Sequence, residues 1–457
     1  DGSPIVFDAY QGGWKSILAS SVGAGGQGVF GLDVTDPENF AGPGSFAWEF
    51  TDNPRVNGTK KYGDEDLGYT IGDVSFAKMN NGEWAVIFGN GYNNTEDDGN
   101  KSASGNGVIY IVNAFSGALI RKIDTGTGWE DDPSGVRQPD GSLLSNERPN
   151  GIASVTPVDM DGDFKVDYLY AGDLFGNLWK VDVTSATASN WEIAYEGKAF
   201  FVAKDALDSD KVQPVTSGVA VKRHPVNRDQ TLVLFGTGKY IELEDAVSGT
   251  IDSDIETFYG IWDDGTGTVA ERVNLLQQKI LAQVSVGGND FRITTSAFEG
   301  DGEYAIDWTR HKGWYMDLRL EDVVEYGEEV VVTPIIRNNR VIFVTQTPSG
   351  SGTCNANGTS WIMEINANDG SRLAESPFDV NGDGIINAND IADYLNGEVT
   401  TSGVRSKEGV VASPGILNNR NTPSEFKYFS GTSGGVDVVL ESAAAEYRKR
   451  QSWRQLR

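Results

Sequence analysis

Short apolar runs recur along the chain, and each is closed by a glycine-containing turn before a second run begins. They include Gly28-Val-Phe-Gly-Leu-Asp-Val34, Ala85-Val-Ile-Phe-Gly89 and Gly107-Val-Ile-Tyr-Ile-Val-Asn113. Further along stand Tyr168-Leu-Tyr-Ala-Gly172 with Gly176-Asn-Leu-Trp-Lys-Val-Asp182, Leu232-Val-Leu-Phe-Gly236, and Val341-Ile-Phe-Val344 with Trp361-Ile-Met-Glu-Ile365. β-Branched and aromatic residues in runs this short, bounded by glycine, predict strands rather than helices. Several runs end in Asn or Asp and turn at Ser/Asp-Gly, as in Asn113-Ala-Phe-Ser-Gly117 and Asn366-Ala-Asn-Asp-Gly370, a pattern of adjacent strands within a propeller blade. The units stand roughly 50 to 90 residues apart, against ~40–50 for compact blades. The surplus lies in polar loops at 92–106, 124–150 and 244–257.

The expected fold is therefore all-β: a modified, about seven-bladed β-propeller filling residues 1–457 as one domain, with long loop insertions and a few short helices. A β-sandwich is the competing arrangement. One helix is predicted over Ala388 to Asn396, with Ile391 and Leu395 on one face and Gly397 to end it. A second is predicted for the tail 441–457, whose Arg448, Lys449, Arg450, Arg454 and Arg457 oppose an acidic body.

Composition narrows the function. Lys plus Arg is 37 and Asp plus Glu is 66, a formal charge of −29. That balance repels nucleic acid and anionic lipid and suits a protein exposed to divalent cations. The lone Cys354 rules out an internal disulfide and a cysteine-rich zinc site, and is compatible with an extracytoplasmic location. No run of about 18 apolar residues is present to span a membrane. The opening Asp1-Gly-Ser-Pro has neither an initiator Met nor a signal-peptide pattern, and reads as a fragment or a processed portion.

Candidate chemistry concentrates in Asp379-Val-Asn-Gly-Asp-Gly-Ile-Ile-Asn-Ala-Asn-Asp390. Side-chain oxygens fall at loop positions 1, 3, 5, 9 and 12, which are Asp379, Asn381, Asp383, Asn387 and Asp390. Ile385 would give its carbonyl at position 7, Gly384 allows the sharp turn, and Ile386 can anchor the loop. A hard cation needs six to eight oxygens, and this spacing wraps them around one point, which predicts Ca²⁺. The plainer alternative is a polar loop that spends its side chains on local backbone bonds.

A second cluster, Asp159-Met-Asp-Gly-Asp-Phe-Lys-Val-Asp167, repeats the first half of the pattern. Asp159, Asp161, Asp163 and Asp167 take positions 1, 3, 5 and 9, with the Lys165 carbonyl at 7. Phe164 replaces the turn glycine, and Tyr170 stands where the last carboxylate belongs, with Asp173 nearby as a substitute. Four carboxylates this close repel one another without a cation. An acidic surface turn is the alternative.

Enzyme signatures are weak, and no catalytic or organic-cofactor residue is predicted. His224 and His311 are the two histidines, both in polar turns and both expected to be solvated. Gly23-Ala-Gly-Gly-Gln-Gly28 has nearly the order of a nucleotide loop, but strands flank it, so it reads as a hairpin turn. A quinoprotein dehydrogenase is the enzyme alternative, since those are also propellers with calcium. Their calcium is bound to the cofactor by several blades, whereas here the ligands fall in one contiguous loop.

Taken together, several segments resemble the C-terminal domain of PilY-type pilus biogenesis factors. These are Asp1-Gly-Ser-Pro-Ile-Val-Phe-Asp-Ala-Tyr10, Gly13-Trp-Lys15, Gly23 to Pro37, Tyr168 to Asp182, Leu234-Phe-Gly-Thr-Gly-Lys-Tyr240 and Arg450-Gln-Ser-Trp-Arg-Gln-Leu456. They run from one end of the chain to the other. The resemblance implies a modified propeller with a surface calcium loop, its Asp-x-Asx-x-Asp-x-x-x-Asx pattern mapped onto Asp379, Asn381, Asp383, Ile385 and Asn387. It also implies work at the type IV pilus tip in extension and retraction, twitching motility and surface attachment. The implied partners are pilus components, including minor pilins, and a surface or host ligand. The implied place is extracytoplasmic: the surface, outer membrane or periplasm of a Gram-negative bacterium. The family's N-terminal module would lie upstream of Asp1, and no Arg-Gly-Asp tripeptide occurs to support an integrin-type contact. A purely structural calcium is the nearest rival to a regulatory one.

Overall fold

The computed structural model describes residues 2–40, 46–96, 98–133, 148–208, 210–242, 245, 255–267, 271–298, 302–320, 327–349, 358–395, 397–419 and 422–443. Cys354 and the tail beyond 443 lie outside the described residues.

The chain lays down antiparallel sheets in order. Ile5–Tyr10, Trp14–Ser21, Gly28–Asp33 and Phe46–Thr51 form the first, and Ser75–Lys78, Trp84–Gly89, Val108–Asn113 and Leu119–Asp124 the second. The third contains Thr156–Val158, Tyr168–Gly172, Asn177–Asp182 and Glu192–Ile193, with Phe201–Val202 paired beside them. A ten-stranded sheet holds two further four-stranded units. One is Ala220–Arg223, Thr231–Gly236, Thr257–Asp263 and Gly313–Leu320; the other is Ile335–Arg337, Arg340–Pro348, Gly358–Asn366 and Gly403–Arg405. The long hairpin Leu276–Val286/Asn289–Thr294 splices them together, running parallel to Gly313–Leu320 on one side and antiparallel to Gly403–Arg405 on the other. Gly415–Asn418, Ser424–Ser430 and Val436–Ser442 make a last, three-stranded sheet. Among the described residues this gives five four-stranded blades and a three-stranded one, against an expectation of about seven.

The apolar runs are continuous rather than alternating because each middle strand is buried on both faces. Val86 and Phe88 enter the core between the first and second blades, while Ile87 between them enters the next core with Leu169 and Trp179. Leu232 and Leu234 pack toward Val341 and Phe343, while Val233 and Phe235 pack back toward Tyr170 and Leu178. Sheet therefore stacks on sheet in chain order, which is the radial packing of a propeller; a two-layer sandwich would leave one face of each sheet to water. Burial of each such side chain contributes about 1.5–3 kcal/mol. The last interface joins Val344 and Ile362 of the fifth blade to Phe429 of the terminal sheet, with Phe378, Val380 and Val411 between them. Buried charge pairs cross it, Lys427 to Glu364 at 2.7 Å and Arg337 to Glu425 at 2.6 Å.

Asn113 and Asn366 make the predicted turns: each amide oxygen accepts a hydrogen bond from the backbone two residues on. The turn glycines, Gly117 and Gly370, have φ of 67° and 73° and lie flat against Trp48 and Trp314, where a Cβ would fall 2.8 Å and 2.3 Å from the ring. The glycine-rich segment 23–28 forms a short 3₁₀ turn between two strands, Trp14–Ser21 and Gly28–Asp33, and no helix follows it.

One predicted helix requires correction, and the other falls almost wholly outside the described residues. Residues 388–395 contain no helix; Ala392–Tyr394 and Gly397–Val399 pair as a tight hairpin, with Leu395 at φ 54° in the turn. A segment this short is marginal as a helix in water, and Asp390 is already spent closing the preceding loop. At the C-terminus, Glu441 and Ser442 belong to the strand Val436–Ser442, where Lys427 ties Glu441 into the sheet. The rest of the tail, 444–457, lies outside the described residues.

Candidate metal centres

Residues 159–167 form the loop between the first two strands of the third blade, closed by the Asp167 N–H donating to the Val158 carbonyl at 2.9 Å. Asp159 accepts from the N–H of Gly162 at 2.6 Å and of Phe164 at 2.9 Å. Asp161 accepts from Asp163 N–H and Asp163 from Lys165 N–H, at 2.9 and 2.8 Å. Asp167 reaches back to accept from the N–H of Met160 and Asp161.

The loop 379–390 follows the same scheme. Asp379 accepts from Gly382 N–H at 2.8 Å and Gly384 N–H at 2.9 Å, Asn381 from Asp383 N–H, and Asp383 from Ile385 N–H. Asp390 reaches back to the N–H of Val380 and Asn381, as Asp167 does to Met160 and Asp161. Both loops turn left-handed at the same two places, Gly162 and Phe164 in one, Gly382 and Gly384 in the other. The two segments are one design used twice, the second carrying three extra residues before its closing carboxylate.

In hydrogen-bonding role the counterpart of Asp167 is Asp390, while Asn387 stands where Asp167 does by spacing. The Asn387 side chain is engaged locally, its oxygen accepting from Asn389 N–H and its amide donating to the Ile385 carbonyl at 3.1 Å. Asp379, Asn381, Asp383 and Asp390 each accept from backbone N–H groups of the loop. Ile385 is 64% exposed, and Ile386 is half-buried as the expected anchor.

In the 159–167 loop one oxygen each of Asp159, Asp161 and Asp167 lie within 4.8 Å of one another, the one such set among the described residues. Burial, aided by the charges of Asp161 and Asp159, pushes the Asp167 carboxyl above its usual range against the pull of its backbone bonds. Asp163 turns outward to the Lys165 ammonium at 2.7 Å, which holds its carboxyl low. The donor sets of both loops are oxygen only, carboxylate and amide, with neither imidazole nor thiolate. Such a set fits a hard cation such as Ca²⁺ and does not suit zinc or a redox metal.

Asp173 is not part of this site. It follows the strand Tyr168–Gly172, at the opposite end from the loop, and is fully buried. Its carboxylate accepts from the Asn150 amide and the Trp179 indole at 2.8 Å, and from the N–H of Phe175 and Asn177, a staple between blade loops. His224 is likewise not solvated. It is 1% exposed, stacked on Trp262 with ring centroids 4.4 Å apart and edge-on to Trp308, and its Nδ1 accepts from Val226 and Asn227 N–H. Burial and the neighbouring Lys222 lower its pKa to about 4. His311 is half-buried and accepts from Asp307 N–H.

Fold and loops together define a class, a β-propeller bearing two acidic turn-loops of one construction. The model of the PilY1 beta-propeller domain matches residues 1–290, and the chain belongs to that family. It is 31% identical to a type IV pilus biogenesis factor PilY1 homolog of Xylella fastidiosa over all of this chain and 30% of that protein. It is 30% identical to the type IV pilus biogenesis factor PilY1 of Pseudomonas aeruginosa over 99% of this chain and 37% of that protein. The crystal structure of the P. aeruginosa PilY1 C-terminal domain superposes with a TM-score of 0.76 at 28% identity, covering 97% of this chain and 83% of that one. The chain thus spans about a third of its curated relatives' length. They are named as pilus biogenesis factors rather than as dehydrogenases. The matched stretch contains the loop 159–167 and stops short of 379–390. Among the described residues no helix is long and apolar enough to cross a membrane.

Proposed function

We propose that this chain is the propeller portion of a calcium-binding pilus factor that works by binding rather than catalysis. Calcium would be held by Asp159, Asp161 and Asp167 in one loop and by Asp379, Asn381, Asp383, Asn387 and Asp390 in the other, with the carbonyls of Lys165 and Ile385. The observation that carries this reading is the shared hydrogen-bond scheme of two loops 220 residues apart in the sequence (379 less 159) on a PilY1-family propeller. The ion would neutralise clustered carboxylates and fix the loop surface. At about 100 times Kd, occupancy favours the ordered state by roughly 2.7 kcal/mol, enough to set a two-state surface. Membership of the family supports a role outside the cytoplasm of a Gram-negative cell, in pilus extension and retraction, twitching and surface attachment, with minor pilins and a surface or host ligand as partners.

A structural calcium is favoured at one of the two loops by a specific observation. Val380, 1% exposed, and Asp390, fully buried, sit at the seam between the fifth blade and the terminal sheet, whereas their counterparts Met160 and Asp167 are only half-buried. The loop 379–390 is thus built to lock a sheet in place, and 159–167 to present a surface. The test is to replace the chromosomal copy with Asp159→Ala and Asp379→Ala forms and measure twitching zones and surface pilin. Loss of twitching in Asp159→Ala with normal protein levels supports a regulatory ion; wild-type twitching in both variants contradicts the proposal.

A further inference from the structure

At one end of the propeller axis the loops of successive blades enclose a cavity of about 930 Å³, within the range of ligand sites. Its described wall carries five carboxylates against three basic groups. One side is apolar and aromatic: Tyr92 and Phe175 are each 5% exposed, and Ile71 is 39% exposed. The other side is acidic. Glu329 is buried at 7% exposure, its carboxylate accepting from Lys239 N–H at 2.8 Å and the Gln346 amide at 2.9 Å. Among the described residues no cation reaches it within ion-pair distance, because the Lys239 ammonium is drawn away to Glu242 at 2.6 Å and Asp245 at 3.0 Å.

Three acids thus share one base. Burial pushes the Glu329 carboxyl up to about 7, with Asp245 adding to the shift and Lys239 only partly opposing it. A buried carboxylate flanked by an aromatic wall matches a cation carried on an apolar stem: the head group pairs with the carboxylate and the methylenes cover the rings.

We propose that this axial cavity binds a lysine or arginine side chain presented by a partner polypeptide, the head group at Glu329 and the stem along Tyr92, Phe175 and Ile71. This does not depend on either metal loop, both of which lie elsewhere on the surface.

Two probes with the same apolar body and opposite charge test it, hexylammonium and hexanoate, each titrated into the whole chain at pH 8 by saturation-transfer NMR. The expected result is hexylammonium binding that weakens about tenfold in Glu329→Gln and several-fold in Ile71→Ser, with no binding of hexanoate. The Gln side chain keeps an acceptor for Lys239 N–H; should that variant melt early, Asp245→Asn takes its place and is expected to weaken binding likewise. Equal binding of both probes, unchanged hexylammonium affinity in the carboxylate variant, or displacement of hexylammonium by millimolar Ca²⁺ in Asp159→Ala/Asp379→Ala protein would overturn it. The last outcome would make the cavity a metal site.

Discussion

Asp390 and Val380 are joined by a 2.8 Å hydrogen bond from the Val380 backbone N–H to the Asp390 carboxylate. The same carboxylate accepts from Asn387 N–H at 2.6 Å, so one side chain both closes the loop and holds Val380 in the core between the fifth blade and the terminal sheet. Asp390→Ala leaves buried N–H groups without an acceptor, each costing about 1–3 kcal/mol. The expected outcome is loss of calcium at this loop and a melt lowered even without calcium. Asp383→Ala, at an exposed position, is expected to lose the ion while the calcium-free melt stays near wild type. Calorimetry with paired melts separates the two.

Phe164 holds φ 67° at 87% exposure, where the twin loop has Gly384. A left-handed non-glycine residue costs roughly 1–2 kcal/mol, partly offset by the extra freedom glycine has when unfolded. Phe164→Gly is therefore expected to stabilise the chain by about 0.5–1 kcal/mol, read in chemical denaturation, and to leave calcium binding intact. A clear loss of stability would show that the exposed ring is held by contacts of its own.

Asp173 illustrates a carboxylate that only looks like a ligand in the sequence. Its oxygens satisfy three side-chain donors, on Asn150, Asn177 and Trp179, and two backbone donors in a fully buried position. Asp173→Ala is expected to cost at least ~3 kcal/mol and to leave the calcium affinity of any folded fraction unchanged. A selective loss of calcium with an unaltered melt would return this residue to the metal site.

His224 gives the fold an acid limit. Its folded pKa of about 4 lies below the unfolded value of 6.5, so the unfolded chain binds the proton first as pH falls. Stability from this group is complete above about pH 6.5 and is lost toward pH 4, roughly 3 kcal/mol in all. Melts followed by tryptophan fluorescence should show that slope, since Trp262 stacks on the ring. His224→Asn, which keeps an acceptor for the two N–H groups, should flatten it.

The blades were legible because propeller strands are buried on both faces, so runs such as Val108–Asn113 are apolar throughout and end in glycine or Asx turns. The turn construction of both loops was legible for the same local reason: side chains that accept from the backbone of a single turn must come from nearby residues. What failed depended on distant contacts. Residues 388–396 carry a helical spacing, but the buried Asp390 and the turn at Leu395 direct them into a hairpin. His224 reads as a loop residue until Trp262 and Trp308, from other parts of the blade, close over it. The acidic cavity at the axis draws on loops of several blades, with Glu329 and Tyr92 237 residues apart (329 less 92), and no local motif marks it.

The most direct test of the central claim is calcium titration by isothermal calorimetry on the wild-type chain and on Asp159→Ala, Asp379→Ala and the double variant. The account predicts two ions per chain, one lost in each single variant and none bound in the double. Absence of saturable calcium heat in the wild-type chain, or a double variant that still binds, would contradict it.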